Sequence, residues 1–331
     1  MTTTANMSIE ALTDLVVRAF LASNVSDENA RIVANALIAA EIDGQGGHGL
    51  SRVASYAAQA ASGKVNGHAV PKLSRPKPSL LTVDAQNGFA FPALSLVIND
   101  LPDIAHSNGL AAAYITKSHH CGQLGAHVER LAEAGVLALM VANSPPAMAP
   151  WGGATPFFGT NPIAFAAPRA ETPPLVIDLS LSKVARGKVM AAAKAGQAIP
   201  EGWALDTDGV PTTDAQAALT GTMLPMGDAK GAALALIVEI LCATLTGANP
   251  SHEATSFFDA KGAPPGVGQT LIAFAPDPAF TARLEGLLTT LLSQDGTRLP
   301  GVARLAKRDA ASENGLDVPD NLLLEIEEIA G

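Results

Sequence analysis

The chain has few charged residues, few aromatic residues and almost no cysteine. Charged residues make up 16% of its 331 residues and aromatic residues 4%, and the formal net charge is −10. A nucleic-acid partner requires a basic surface that releases counterions, and no run of Lys and Arg here exceeds two adjacent residues, so no nucleic-acid partner is expected. Apolar residues make up 48% of the chain, which argues against disorder and predicts a core of mainly aliphatic side chains.

The two cysteines, Cys121 and Cys242, are far apart in the sequence and form no CxxC pair. They predict no disulfide framework and are typical of a reducing compartment. The first twenty residues lack the cationic start and unbroken apolar stretch of a signal peptide. We therefore expect a cytoplasmic protein.

One apolar segment, residues 231–248, is long enough to be tested as a membrane span. Glu239 stands at its middle, and a carboxylate at the centre of a bilayer costs about 2.5 kcal/mol or more. Asp228 and Lys230 precede the segment. The pattern therefore predicts a buried core helix, and no membrane partner is expected.

Helical and strand patterns alternate along the chain. Ser8 and Ser26 are typical N-cap residues, and apolar residues recur at helical spacing after each of them. Further helices are predicted over residues 53–61, 92–106, 123–134 and 183–195, and from about 277 onward. Strands are predicted over residues 80–83, 110–115, 136–141, 162–167, 175–179 and 271–274. This alternation predicts an α/β or α+β fold.

Residues 44–49, Gly-Gln-Gly-Gly-His-Gly, match the G-x-G-x-x-G dinucleotide fingerprint by letter. That fingerprint works only between a strand and the first turn of a helix, where free amides meet the pyrophosphate. The preceding residues have helical periodicity, and no acidic residue follows at the required distance. We interpret the glycines as a tight loop that presents His48.

His48 and Arg52 lie four residues apart, so both side chains project to one side if a helix opens near residues 49–50. An imidazole beside a guanidinium suits an anionic substrate, because Arg binds a carboxylate bidentately and His transfers a proton near neutral pH. A helix-capping His with a solvated Arg explains the spacing equally well. The spacing alone leaves both interpretations open.

The segment His119-His120-Cys121-Gly122 stands between a predicted strand and a predicted helix. A zinc site is not favoured, because adjacent side chains diverge and no fourth ligand is apparent, so no metal is expected. A helix N-terminus after a small-residue turn can instead bind a phosphate. Residues 227–231, Gly-Asp-Ala-Lys-Gly, repeat this arrangement with a lysine added. Either turn could also be purely structural, but together with His48 and Arg52 they indicate a dinucleotide and a small acid.

With these segments placed, the chain resembles the malate/L-lactate dehydrogenase-like oxidoreductases of the second, non-Rossmann family. Members include ureidoglycolate and sulfolactate dehydrogenases and the Δ1-piperideine-2-carboxylate/Δ1-pyrroline-2-carboxylate reductases. The resemblance runs over nearly the whole chain, through six motifs: Asp43–Arg52, Ser118–Gly122, Phe158–Phe165 (FGTNPIAF), Ile177–Ser180, Gly202–Asp206 and Leu224–Gly231.

The resemblance implies a mixed α/β, α+β fold with a non-Rossmann cofactor domain, a largely antiparallel sheet and a homodimer. It also implies a helical domain over residues 1–75 that residues 277–331 complete, and a cofactor-binding and substrate-cleft region over 76–276. NADH or NADPH would be the hydride donor, with the choice left open. Carried over by position, His48 resembles the proton donor, and Arg52 and Thr160 resemble the contacts of the substrate carboxylate. The implied cofactor contacts are His120, Cys121, Gly122, Gln123, Leu124, Asp178, Leu179, Ser180, Ala229, Lys230, Gly262, Pro264 and Gly266.

Two positions depart from the family pattern. Gly47 stands where the family usually has Ser before the catalytic His, and Lys188 stands where the imine-reductase branch has Asp. Lys188 is therefore an auxiliary candidate, and some other group must orient His48. Residues 253–272, in contrast, resemble the imine-reductase branch.

These features leave three hypotheses for the function. The first is reduction of cyclic imino acids, Δ1-piperideine-2-carboxylate or Δ1-pyrroline-2-carboxylate, to L-pipecolate or L-proline. The second is a malate/lactate-type 2-hydroxyacid dehydrogenase. The third is a nucleotide-binding paralogue with weakened catalysis, which Gly47 suggests. The sequence analysis favours the first.

Overall fold

The structure is a computed structural model, and it describes residues 3–331. Its helices are α1 (Ile9–Ala22), α2 (Asp27–Ile42), α3 (Val53–Ala61), α4 (Ala90–Asn108), α5 (Leu124–Glu133), α6 (Arg186–Lys194), α7 (Ala215–Thr220), α8 (Ala229–Glu239), α9 (Phe280–Leu292), α10 (Val302–Asn314) and α11 (Asp320–Ala330). Both predicted N-caps are present: the hydroxyls of Ser8 and Ser26 accept hydrogen bonds from the backbone N–H of Ala11 and Asn29.

The strands are β1 (Thr4–Met7), β2 (Lys72–Lys77), β3 (Leu80–Asp84), β4 (Leu110–Ser118), β5 (Leu137–Ala142), β6 (Ile163–Ala167), β7 (Leu175–Leu179), β8 (Ala204–Leu205), β9 (Pro211–Thr212), β10 (Thr222–Met223), β11 (Val267–Phe274) and β12 (Leu316–Pro319). Seven of them form one sheet in the order β2-β3-β4-β11-β5-β6-β7. In this sheet β3 and β4 are parallel and all other neighbours are antiparallel. The mixed, largely antiparallel sheet confirms the predicted fold class.

Two buried clusters divide the apolar residues. One lies between the large sheet and helices α4 and α5. The other joins α1, α2 and α3 to β12 and α11, and β1 pairs with β12 beside it. Helices α9 and α10 contribute no residue to this second cluster. The predicted boundary at residue 75 falls inside β2, a strand of the large sheet, because the polar sequence of β2 hides its pairing. The division into two domains stays a prediction.

The apolar segment expected to be a buried core helix is α8 with the π-helical turn Ile240–Thr244. Its inner face is buried, and Glu239 accepts hydrogen bonds from Ser251 and Asn161 there. Its outer face is not: Ile237 is 52% exposed and Ile240 48%. The expected core helix is therefore buried on one face and not on the other. Apolar composition identifies such a helix but does not say how many of its faces pack against the rest of the protein. Among residues 3–331 no helix has both the length and the apolar character to cross a bilayer.

Candidate active site

One cavity of about 540 Å³ lies where four loops and helix ends converge. It brings together six side chains that the sequence analysis singled out, although they are spread over the chain: His48, Arg52, His120, Thr160, Ser180 and Lys188. Residues 144–147, in the loop after β5, contribute to its wall. Among the lining residues that the structure describes there is no Asp and no Glu, so the cavity is electropositive.

His48 is presented by two short 3-10 turns, residues 46–48 and 50–52, that lead into α3. The helix begins at Val53 rather than near residue 49, because Gly49 has a backbone conformation that breaks the helix. A Cβ atom at Gly49 would collide with Glu41, whose carboxylate accepts a hydrogen bond of 2.8 Å from the N–H of Leu50. Close packing against α2 therefore explains this glycine, and a phosphate-binding loop is not needed.

Arg52 has a guanidinium group that is held on two sides and open on a third. Its Nε donates to the carbonyl of Gly47 at 2.7 Å, and its Cζ lies 4.4 Å from the centre of the Phe258 ring. Its Nη1 is buried and has no hydrogen-bond partner in the described residues. A buried N–H without an acceptor is costly, so this atom is a candidate donor to a bound anion.

A chain of hydrogen bonds runs from His48 into the protein. Nδ1 of His48 lies 3.2 Å from Nε2 of His120, and Nδ1 of His120 lies 2.5 Å from the hydroxyl of Tyr56. This arrangement leaves Nε2 of His48 to face the cavity. Burial, together with the charge of Arg52, lowers the pKa of His48 to about 4, so its imidazole is neutral at neutral pH. Burial also lowers the pKa of His120 and raises that of Tyr56, which keeps the phenol protonated.

Two more cations line the cavity, at the start of α6. Arg186 and Lys188 both line it, and neither forms an ion pair within residues 3–331. Burial lowers the pKa of Arg186. The first turn of α6 adds the partial positive charge of a helix N-terminus.

The predicted cofactor segment 120–124 lies at the start of α5, next to the predicted residue Asp178. Asp178 accepts a hydrogen bond of 2.7 Å from the N–H of Gly125. One amide of this helix end is therefore already bonded to a carboxylate. The Cys121 and Leu124 side chains are buried, so within this segment His120 is the residue that lines the cavity. A phosphate at the α5 N-terminus stays a prediction.

The other predicted cofactor residues stand apart from the cavity lining. These are Gly122, Gln123, Leu179, Ala229, Lys230, Gly262, Pro264 and Gly266. Ala229 and Lys230 are exposed at the start of α8. The backbone of Gly266 is bonded to Asn249, and Gly262 has a φ of +84°, which requires glycine there for the turn itself. Their cofactor roles stay predictions.

Behind the His48 loop lies a cluster of buried charges, here called the charge cluster: Asp43, Glu129, Arg304 and Arg308. The guanidinium of Arg308 donates to Asp43 at 2.6 and 2.9 Å and to Glu129 at 2.7 and 3.0 Å. Arg304 adds a bond of 2.9 Å to Glu129, and Gln123 donates to Asp43 at 2.9 Å. The cluster joins α10 to the residue that ends α2 and to α5.

The sequence analysis missed three lining residues, Arg186, Phe257 and Phe258, and also Tyr56, which does not line the cavity. Tyr56, which joins the site through its bond to His120, had a signal, because His48, Arg52 and Tyr56 repeat at intervals of four along one helical face. For the other three the sequence offers none, since their approach to the cavity depends on tertiary packing. No three His, Cys, Asp or Glu side chains of the described residues are grouped as metal ligands, and His119 is bonded to Gln59 instead.

The sequence and the structure were compared with those of known proteins. A family model described as malate/L-lactate dehydrogenase matches residues 7–327. A (2R)-3-sulfolactate dehydrogenase (NADP(+)) from Chromohalobacter salexigens is 49% identical over 97% of this chain and 96% of its own length. A Δ1-pyrroline-2-carboxylate/Δ1-piperideine-2-carboxylate reductase from Pseudomonas putida is 40% identical over 99% and 98%. The crystal structure of Δ1-piperideine-2-carboxylate reductase from Pseudomonas syringae is similar with a TM-score of 0.93 and 39% identity, over 98% of this chain and 99% of that one.

Proposed function

The chain belongs to the malate/L-lactate dehydrogenase family, and we propose that it interconverts a 2-oxo acid and a 2-hydroxy acid that carry a second acidic group. Its membership makes it an NAD(P)-dependent oxidoreductase of small carboxylates. The observation that carries the proposal is the charge of the cavity: it has three cationic side chains, one with an unsatisfied buried N–H, and no carboxylate among the described lining residues.

Arg52 is the residue that would bind the carboxylate at C1. Its orphaned Nη1 needs an acceptor, and a carboxylate supplies one with opposite charge, which makes a short and strong hydrogen bond. Thr160 lines the same cavity and offers a hydroxyl to the second oxygen. The two contacts fix the substrate by the one group that all 2-oxo acids share.

Arg186 and Lys188 would bind the second acidic group. They lie together at the first turn of α6, with no carboxylate of the described chain to neutralise them. A monoanion such as pyruvate would leave these charges unpaired. A sulfonate or a second carboxylate would pair with them, and the helix N-terminus would add to the attraction. The 49% identity to a sulfolactate dehydrogenase supports this choice.

His48 would supply the proton. Its Nε2 faces the cavity because Nδ1 is bonded to His120, and Tyr56 fixes His120 in turn. The hydrogen bonds from His48 to His120 and on to Tyr56 would orient the imidazole of His48, a role that a serine at position 47 would otherwise fill. A substrate carboxylate on Arg52 offsets the positive charge that helps to lower the pKa of His48, so substrate binding favours protonation of the imidazole. His48 can then protonate the oxygen at C2.

A reduced nicotinamide cofactor, when bound, supplies the hydride to C2 of the substrate. The donor set near α5 fits a nucleotide, since the exposed Asp178 carboxylate, bonded to the N–H of Gly125, can also accept from a ribose hydroxyl. We propose NADPH, which is supported by the NADP(+)-dependent relative. The cytoplasmic location stays a prediction.

Cyclic imine reduction is the second candidate. It is supported by the 40% identical reductase and by the TM-score of 0.93 to the piperideine-2-carboxylate reductase. A protonated cyclic imine carries a positive charge on nitrogen, which Arg52, Arg186 and Lys188 would oppose. At position 188 a lysine replaces the aspartate of the imine-reductase branch. The cavity charge therefore favours the oxo acid.

Oxidation of NADPH and NADH with four substrates tests this choice: 3-sulfopyruvate, oxaloacetate, pyruvate and Δ1-piperideine-2-carboxylate. We expect kcat/KM for one of the two dianions to exceed that for pyruvate by about tenfold or more, because a charge-assisted hydrogen bond contributes roughly 1.5–3 kcal/mol. Preference for the cyclic imine would contradict the proposal. If no substrate caused oxidation of the cofactor while NADPH still bound, the protein would be the nucleotide-binding paralogue with weakened catalysis.

Lys188→Met makes the test specific to the second acidic group. We expect about a tenfold lower kcat/KM for the dianion and little change for pyruvate. Lys183→Met is the matched control, since Lys183 precedes α6 but does not line the cavity. Its Nζ lies 3.8 Å from the Asp228 carboxylate. An equal loss with pyruvate and the dianion would show that Lys188 does not distinguish them.

We propose that a second copy of the chain covers the outer face of α8, giving the homodimer that the family resemblance implies. Leu236, Ile237, Ile240 and Leu245 are 47–52% exposed on this segment, an apolar surface that monomers rarely leave open. Ile237→Lys is expected to shift the protein from dimer to monomer in sedimentation equilibrium, because it buries an unpaired charge at the contact. Leu324→Lys, at a position of α11 that is 57% exposed, is the control. A monomeric unsubstituted protein would refute the proposal.

A further inference from the structure

One wall of the cavity is formed by residues 254–258, called here the aromatic wall. The ring of Phe257 packs against His119 and His120, with ring centres 5.0 and 5.2 Å apart. The ring of Phe258 lies 4.4 Å from the guanidinium carbon of Arg52. The wall thus touches both the proposed carboxylate anchor and the histidine that orients His48.

The aromatic wall belongs to a long loop, residues 254–266, without helix or strand. Two buried side chains from α3 and the turn after it bond its carbonyl groups. Nε2 of Gln59 donates to the carbonyl of Phe257 at 2.9 Å. Nζ of Lys64 donates to the carbonyls of Ser256 and Asp259 at 2.7 and 2.9 Å and lies 3.6 Å from the Asp259 carboxylate. The carbonyls that flank the two phenylalanines are therefore fixed from one side.

Lys64 is an unusual residue to find at this depth, because its side chain is only 1% exposed. A buried ammonium group is costly unless acceptors and an opposite charge compensate it, and the loop supplies two carbonyl acceptors and one carboxylate. No hydrophobic side chain could bond these carbonyls. The same short stretch of chain carries Arg52 at the start of α3 and Lys64 just beyond its end. This stretch therefore carries the proposed carboxylate-binding residue, Arg52, and also the lysine that bonds the aromatic wall packed against Arg52.

We propose that Lys64 is a positioning residue for substrate binding. It holds Phe258 against Arg52 and Phe257 against His120, and so sets the affinity for the substrate and the largest substrate side chain that the cavity admits. Lys64 does not line the cavity, so it acts through the wall. The inference rests on the proposed function only in placing the substrate carboxylate on Arg52.

Lys64→Met keeps the length of the side chain and removes its donors and its charge. We expect KM to rise about tenfold while kcat stays within about threefold, because a displaced wall weakens binding at Arg52, whereas Tyr56 still bonds His120 and so keeps His48 oriented. The variant should also discriminate less against bulky 2-oxo acids such as phenylpyruvate. The matched control is Lys261→Met, an exposed lysine of the same loop, for which KM should not change.

A double-mutant cycle separates positioning from general destabilisation. If Lys64 acts through the wall, Lys64→Met should add little to the rise in KM that Phe258→Leu causes alone. Additive effects, or a fall in kcat without a change in KM, would overturn the proposal. Should Lys64→Met fail to fold, Lys64→Gln, which keeps an amide donor but loses the charge, must still raise KM relative to the unsubstituted protein without lowering kcat by more than about threefold.

A second measurement does not depend on the substrate. Hydrogen exchange of the peptide containing residues 254–262 should be faster in Lys64→Met than in Lys261→Met, and unchanged exchange would overturn the proposal. The kinetic comparison uses whichever of the four substrates the unsubstituted protein prefers. A wrong substrate proposal would therefore appear in that preference and leave the test of Lys64 intact.

Discussion

Replacing His48 with alanine is expected to lower kcat for reduction by about 10³-fold, within the range for loss of a positioned proton donor. KM should change little, because the carboxylate is bound by Arg52 and not by the imidazole. The lowered pKa of His48 adds a pH signature. A donor whose pKa is about 4 is protonated more fully as the pH falls, so kcat/KM should rise from pH 8 towards pH 5 in the unsubstituted protein. His48→Ala should abolish that rise.

Two further variants define what His48 contributes. His68→Ala removes an exposed histidine and should leave the rate unchanged. Tyr56→Phe keeps His48 but removes the end of its hydrogen-bond chain, and we expect about a tenfold fall in kcat because the imidazole is less well oriented. Full activity in His48→Ala would exclude it as the proton donor. Full activity in Tyr56→Phe would show that the chain does not orient it.

Arg308→Met is expected to lower the free energy of unfolding by about 3–5 kcal/mol, because it leaves buried carboxylates without their main partner. Arg308 makes four hydrogen bonds in the charge cluster, and the side chains of Asp43 and Glu129 are 1% and 5% exposed. After the substitution only Arg304 and Gln123 would remain to compensate two charges. Chemical denaturation at neutral pH measures the loss.

The exposed Arg298 provides the control for this substitution, since Arg298→Met removes the same charge from the preceding loop. Its unfolding free energy should change by less than about 0.5 kcal/mol, the usual range for surface sites. If Arg308→Met lowered the free energy of unfolding by less than about 1 kcal/mol, the attraction within the charge cluster would barely exceed the cost of removing its charges from water.

Local signals account for the parts of the fold that the sequence predicts well. Ser8 and Ser26 cap helices that begin at the next residue, because capping depends only on neighbouring amides. Strand β2 was missed because all six of its residues are exposed, so no alternation marks it. Strands β1 and β12 were missed because each is short and its partner is at the far end of the chain.

In the candidate site, too, residues with a local sequence signal were identified, and residues that tertiary packing brings in were not. His48 and Arg52 are four residues apart, and this spacing made a shared role in the site one of two equal interpretations. Phe258 lies next to Arg52 in a loop that is distant in sequence and that Lys64 and Gln59 bond, and no local pattern announces such a contact. The outer face of α8 shows a further limit, since hydrophobic periodicity identifies a helix but not the number of its partners.

The position of β11 has a consequence for how the protein is made. Strand β11 lies between β4 and β5, although both are synthesised long before it. Until Phe274 has left the ribosome, β4 and β5 each present an open strand edge, and such edges pair readily with other chains. The long-range pairing also makes closure of the sheet slow. The nascent chain thus passes through a stage that is prone to aggregation, and the loop that carries the aromatic wall is placed when that stage ends.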